Sequence, residues 1–251
     1  MKEERIKYIE NYISEHELCS LDHLCDVFEI SKTTLRRDIN ILEKMGNIRK
    51  VYGGVAINKS NQTSTVPFMQ REINFHDEKI HIGKMASTYI RDGETIYVDS
   101  GTTTLQISHY IKDKSITIVT NNLNLINECV DCSNINIISV GGELSRITKS
   151  FTGDLAVNTL SSLNISKSFI AATGISIEAG FSNSLPLETA IKKVAINKSK
   201  SVYVMADHTK WGIVSLMTFA KLSAATGIIT DLAPPRKYIE YCKTNNIQII
   251  C

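Results

Sequence analysis

Residues Ser31–Gly54 read SKTTLRRDINILEKMGNIRKVYGG, and the rest of the chain is organised around this stretch. At about 100° per residue it separates into two faces. Leu35, Ile39 and Leu42 make an apolar stripe, while Lys32, Thr33, Arg36, Arg37, Asn40 and Lys44 share the opposite arc. Ser31 stands where an N-cap hydroxyl satisfies an orphan N–H of the first turn. Gly46 and Asn47 stop the helix after Met45. The following IRKVYGGV, Ile48–Val55, predicts a short strand, a glycine turn and a return strand. A helix with a basic, amide-bearing face followed by a basic hairpin predicts the recognition helix and wing of a winged helix-turn-helix.

Upstream, Glu3–Glu17 carries Ile6, Ile9 and Ile13 at helical spacing. Ser20 then caps a second short helix with Leu21, Leu24 and Phe28 on one face, and Glu29-Ile30-Ser31 is the connecting turn. A charged helix face is by default a solvated one, so the distribution of charge matters. Residues 1–29 hold three basic and eight acidic side chains; residues 30–60 hold seven basic and two acidic. The positive field is concentrated on the helix and hairpin, where a phosphate backbone would lie.

The run Ile30–Ile39, with Leu42–Gly46 and Tyr52-Gly53-Gly54, resembles the amino-terminal module of the DeoR-type bacterial transcriptional regulators. It departs mildly at Leu35, Ile39 and Tyr52. The residues expected to meet double-stranded operator DNA are Ser31, Lys32, Thr33, Thr34, Arg36, Arg37, Asn40, Arg49, Lys50 and Tyr52.

The 251 residues allow one or two domains and a sizeable core, with 43% hydrophobic and 22% charged side chains. A net charge of +2 does not by itself recruit nucleic acid. No apolar run reaches membrane-span length and the start is charged, so a cytoplasmic protein is expected. The six cysteines are scattered, and Cys129-Val-Asp-Cys132 lacks a second pair or a nearby histidine, so a structural role is expected rather than metal or redox chemistry.

Beyond the hairpin, Asn58–Pro67 is polar and aperiodic, which predicts a linker between a DNA-binding domain at 1–57 and a second domain at 68–251. Asp77 is expected to cap a helix reaching about Ile90. From Glu94 onward, short β-branched runs alternate with helical segments, predicting a Rossmann-like, mostly parallel α/β sheet covered on both faces. The expected strands are Thr95–Asp99, Ile116–Thr120, Ile135–Ser139, Ser168–Ala172, Ser201–Met205, Gly227–Thr230 and Ile247–Ile250. Ligands of such sheets bind beyond the carboxyl ends of the strands.

Four of those ends carry candidate chemistry. Asp99-Ser100-Gly101-Thr102-Thr103-Thr104 follows a strand and opens a helix, an arrangement that suits an anion, best a phosphate. It is not a Walker loop. Thr120-Asn121, Gly141-Gly142-Glu143 and Asp207 with Lys210 are the others, and Lys192 is a cation for the same cleft. A Ser/Thr-rich strand end is often only a cap, and Gly-Gly only a turn; their joint appearance carries the argument.

These motifs, with Thr230-Asp231, resemble the successive motifs of the DeoR-type effector domain, which is similar in fold to ribose-5-phosphate isomerase. Departures fall at Ser166 and at Phe151-Thr152. The resemblance implies a homo-oligomeric regulator, a repressor of a carbohydrate-utilisation operon, answering to a phosphorylated sugar or a related intermediate and needing no cofactor or metal. A dimer or tetramer is expected, because a repeated operator calls for more than one copy. The alternative is a sugar-phosphate isomerase or deaminase with an appended DNA-binding module, in which Asp99, Glu143, Asp207 and Lys192 supply acid, base and cation.

Overall fold

The computed structural model describes residues 2–16, 18–44, 48–51, 53–57 and 68–251. The chain divides into two compact units, Met1–Val66 and Pro67–Cys251. The expected helix stop at Met45–Asn47, Tyr52 and the expected linker at 58–67 lie outside the described residues.

The first unit runs α1 (Lys2–His16), β1 (Leu18–Ser20), α2 (Leu21–Phe28), α3 (Lys32–Lys44), β2 (Ile48–Val51) and β3 (Gly54–Ile57). Ile6, Ile9, Ile13, Leu24, Leu35, Ile39 and Leu42 all enter one buried cluster, as their spacing requires. Ser20 caps α2, its hydroxyl accepting from the His23 N–H at 3.1 Å. Glu29 ends α2 in the left-handed region at φ 50°, which turns the chain sharply into α3. The hairpin β2–β3 closes through Val51 opposite Gly54, with Gly53 at φ 78°. The strand β1, which the sequence pattern does not announce, pairs with β3 and makes the wing three-stranded.

The second unit continues with α4 (Phe68–Ile73), α5 (His76–Ser87), β4 (Thr95–Val98), α6 (Thr102–Leu105), a 3-10 turn at Gln106–Tyr110, β5 (Ile116–Thr120), α7 (Leu123–Cys129) and β6 (Ile135–Ser139). Then follow β7 (Glu143–Ser145), β8 (Ser150–Thr152), α8 (Asp154–Ser161), β9 (Ile165–Ala171), β10 (Gly174–Ser176), β11 (Gly180–Asn183), α9 (Pro186–Lys198) and β12 (Ser199–Met205). The chain ends with β13 (Met217–Ala220), β14 (Gly227–Ile229), α10 (Arg236–Thr244) and β15 (Gln248–Ile250).

Seven strands form a parallel sheet in the order β15-β14-β12-β9-β4-β5-β6. Alternate side chains enter opposite cores. Ile96, Val98, Phe169 and Met205 meet α5 and α7 through Ile82, Ala86, Leu125 and Cys129. Tyr97, Ile170, Val202 and Val204 meet α8, α9 and α10 through Leu160, Ile191 and Tyr238. Both faces are buried, which is why the strands read as continuous apolar runs. The chain winds outward from β4 to β6, then crosses back to β9, so the topological switch lies between β4 and β9. That is where a doubly wound sheet opens a crevice.

One expectation needs correction, and the structure adds elements that the sequence pattern does not announce. The helix after the linker begins at His76, with Phe75 as its N-cap residue, so Asp77 lies in the first turn rather than at the cap. A short α4 precedes it. Two further sheets of this unit, β10-β11-β13 and the hairpin β7-β8, are antiparallel and separate from the parallel one.

Candidate DNA interface and ligand cavity

On α3, Ser31, Lys32, Thr33, Arg36, Arg37 and Asn40 are exposed, and so are Arg49 and Lys50 on β2; Thr34 is half-buried. The Ser31 hydroxyl accepts from the Thr34 N–H at 3.3 Å, so it works as the expected cap. Lys50 reaches across from the wing strand, donating to Asn40 Oδ1 at 2.6 Å and to Glu43. Helix and wing are thereby tied into one surface. Asp38 is 1% exposed and accepts from Arg5 Nε at 2.8 Å, which removes its charge from the exposed arc. Lys32 pairs with Asp22, both exposed, a contact worth little in water.

In the second unit a cavity of about 160 Å³ opens at the carboxyl ends of β4, β9 and β12. Ser100, Gly101, Thr102 and Thr103 line it, with Lys192, Asp207 and Lys210. Asp99 lies beneath. Its Oδ2 accepts from the Ala171 N–H at 3.1 Å and from Lys192, whose ammonium also donates to the Ala171 carbonyl at 2.9 Å. The buried pair bridges β4 and β9 across the switch point. A buried ion pair contributes little net stability, yet removing one partner strands the other. Asp207 is buried too. Burial opposes its charge, but Lys210 (3.6 Å), the Thr209 hydroxyl and N–H, and Lys79 hold its carboxyl below the usual range.

Other expected residues stand behind the cavity. The Thr104 hydroxyl donates to the carbonyls of Asp99 (2.7 Å) and Gly101 (2.9 Å), and Thr120 donates to the Val98 carbonyl at 2.6 Å. Asn121 accepts from the Tyr97 hydroxyl at 2.9 Å and donates to Ser100 Oγ at 3.3 Å, so it orients the turn from below. Gly141, Gly142 and Glu143 are not among the lining residues. Gly142 is needed for the turn itself, because a Cβ there would come within 2.3 Å of the Thr152 carbonyl oxygen, and φ is +104°. Ser166 is at the amino end of β9, opposite the cavity, so that departure from the family pattern does not touch the site.

Gly101 has a structural task as well. A Cβ would lie 2.3 Å from the Ala171 Cβ, so glycine is what lets β4 and β9 approach at the crevice. A β-branched replacement is therefore expected to disturb the sheet, not merely the ligand.

Sequence reading missed part of the lining. Glu188, 6% exposed, accepts from Ser150 Oγ (3.2 Å) and Asn183 Nδ2 (3.3 Å), and Asn183 accepts from Thr173 at 3.0 Å. Arg71, Asn74, Phe75 and Lys79 come from α4 and α5. Four cationic side chains line the cavity (Arg71, Lys79, Lys192, Lys210) against two acidic ones (Glu188, Asp207). Of the paired cysteines, Cys129 is buried in the core and its thiol is pushed up to about 11 by that burial, with Cys132 adding to it, which keeps it protonated.

A winged helix-turn-helix joined to an α/β domain with a polar, cation-rich crevice defines a ligand-responsive transcriptional regulator. Residues 5–61 match the DeoR-like helix-turn-helix domain and residues 74–232 the DeoR C terminal sensor domain. The chain belongs to the DeoR family of DNA-binding transcriptional regulators. It is 42% identical to the HTH-type transcriptional regulator IolR of Bacillus subtilis over 250 residues, covering 99% of each chain. It is 27% identical to the HTH-type transcriptional repressor GlcR of the same organism, covering 99% of this chain and 96% of that one. These relatives are named as regulators, and this chain is likewise a regulator and not an enzyme. Among solved structures, ribose 5-phosphate isomerase A of Methanocaldococcus jannaschii aligns with 55% of each chain at 13% identity and a TM-score of 0.41. No helix among the described residues is long and apolar enough to cross a membrane.

Proposed function

We propose that the chain is a repressor of a carbohydrate-utilisation operon and that a phosphorylated sugar or a related intermediate, held in the crevice, controls it. The observation that carries this reading is the excess of cationic side chains around a Ser/Thr turn at the carboxyl ends of parallel strands. Helix starts leave N–H groups unpaired, and anions are favoured there. The phosphate is assigned to Ser100–Thr103, with Lys210 and Lys192 neutralising it, and Asp207 accepts from sugar hydroxyls, as an ionised carboxylate must. The Lys192–Asp99 pair gives the ligand a fixed floor.

On the DNA side, Arg36 and Arg37 read bases and phosphates while Arg49 and Lys50 hold the flanking backbone. The domains are assigned as 1–57 and 68–251, joined by the polar 58–67 segment. The protein works in the cytoplasm as a homo-oligomer, since two winged helices are needed to read a palindromic or repeated operator. A thermal-shift screen of sugars with and without phosphate tests the effector reading. Phosphorylated members are expected to raise the midpoint, because a ligand selective for the native state stabilises it. Equal shifts from the unphosphorylated sugars would remove phosphate from the assignment.

A further inference from the structure

Two lysines of the α3 and wing surface are already paired with carboxylates of their own unit. Lys32, at the amino end of α3, meets Asp22 Oδ1 at 2.5 Å, and Lys50, on β2, meets Glu43 Oε2 at 2.5 Å beside Asn40. All four side chains stay more than a third exposed, Glu43 least at 38%, so a nucleic acid can reach them. Arg36, Arg37 and Arg49 have no such partner among the described residues. Of the two acidic residues in 30–60, Asp38 is buried against Arg5, which leaves Glu43 as the acid beside the exposed arc.

The spacing of the pairs fits a duplex. Residues 32 and 43 stand about 16 Å apart along the axis of α3, with Arg36 and Arg37 between them. On a major groove about 12 Å wide, the arginines fall over base edges and the two lysines over the flanking phosphates. A carboxylate and a phosphate offer an ammonium the same thing, anionic oxygens that accept its N–H groups. Asp22 and Glu43 thus hold, on each lysine, the place that a phosphate would take. Exposed pairs contribute little to stability, and the core of the unit is built elsewhere, from side chains such as Leu24, Leu35, Ile39 and Leu42. Their consequence is electrostatic. A lysine that keeps its carboxylate brings no net charge to the duplex, and one that leaves it turns that carboxylate toward the phosphates.

We propose that Asp22 and Glu43 are counterweights that set the strength of DNA binding: they cancel the sequence-independent attraction of Lys32 and Lys50 and leave discrimination to the unpaired arginines. This rests on α3 and β2 being the DNA-binding surface and deepens that reading. The counterweights also keep the complex releasable. Allosteric coupling typically changes affinity only about 5- to 150-fold, so an effector can empty an operator only where phosphate contacts do not hold the protein too tightly.

The test is a fluorescence-anisotropy titration of the full chain with a duplex of its own promoter and with a random-sequence duplex of equal length, each over a range of salt. Glu43→Gln and Asp22→Asn keep the shape of the side chain and remove its charge. Each is expected to bind both duplexes roughly two- to fivefold more tightly at about 0.1 M salt. Each should also steepen the fall of log K with log[salt] by about 0.9. In the double variant the two effects add, because the pairs are far apart. If both variants keep the wild-type affinity and slope, the proposal is overturned. Weaker binding overturns it too, since the acid would then be holding its lysine in the binding pose. Lys32→Ala and Lys50→Ala separate this from the surface assignment. If they weaken binding while the carboxylate variants change nothing, only the counterweights fall; if they also change nothing, the DNA lies elsewhere and both fall. Should Glu43→Gln fail to fold, Asp22→Asn, at the exposed start of α2, decides alone.

Discussion

Asp38 ends the Leu35-Arg-Arg-Asp run, and its burial against Arg5 separates two kinds of residue on one helix. Arg36 and Arg37 face solvent, whereas Asp38 joins α3 to α1. Substitution should therefore split the two properties. Arg36→Ala with Arg37→Ala is expected to melt normally and to lose operator binding, about 1–3 kcal/mol for an arginine that reads a base. Asp38→Ala is expected to lower the melting midpoint of the winged-helix unit, because it leaves the Arg5 guanidinium without its partner. Gel retardation beside circular-dichroism melts distinguishes them, and a double-arginine variant that still retards its own promoter DNA would displace the recognition surface from α3. Which of these roles each residue takes was partly legible. The period told that Leu35 points inward, but Asp38 read as one more surface charge because its partner is more than thirty residues away.

At the scale of elements, the wing strand β2 acts with α3 through Lys50, whose ammonium touches both Asn40 and Glu43. Lys50→Ala is expected to weaken all DNA sequences alike and to flatten the dependence of binding on salt, by roughly one unit of slope per lost phosphate contact. A change confined to one operator variant would instead make Lys50 a reader of sequence. The parallel strands were legible because both faces of each are buried, leaving β-branched runs such as Ile116–Thr120 and Ile135–Ser139 with turn residues between them. The strands β10 and β11 were not. Gly174, Ser176, Gly180, Ser182 and Asn183 are all buried, yet small polar residues give no apolar alternation to read. The 3-10 turn Gln106–Tyr110 follows α6 without a break, so the two continue as one helical stretch. For the cavity, the Ser/Thr turn and Lys192 were legible as strand-end and helix chemistry. Arg71 and Lys79 were not, since charges on a helix default to the solvated reading.

For the whole molecule, DNA and effector act at sites carried by different units, so control requires a coupling free energy, typically about 1–3 kcal/mol. Reciprocity makes this measurable: operator DNA must change effector affinity by the factor by which effector changes DNA affinity. Effector titrations with and without operator that give equal affinities would mean the bound ligand is not the inducer. Stability carries a second signature. Lys79 ionises near 8 when folded and near 10.5 when unfolded. The unfolded chain therefore holds the extra proton between those values, so stability is expected to rise as pH climbs through that window, and below it the fold bears the full cost of a buried charge. Denaturant melts of the wild type and Lys79→Met at both ends of the window check this, the variant lacking the rise.

The approach of β4 to β9 also constrains the order in which this sequence can change. A methyl group on residue 101 would stand 2.3 Å from the Ala171 Cβ, so alanine at 101 collides while Ala171 is present. Once position 171 is glycine, the nearest remaining neighbour is Thr104 Oγ1 at 3.2 Å, which a small rotation relieves. A lineage can thus reach alanine at 101 without that clash by passing first through glycine at 171, whereas the opposite order passes through a variant in which β4 and β9 must shift apart. The crevice floor is a one-way street in sequence space, and Gly101→Ala made alone and in an Ala171→Gly background would show its direction.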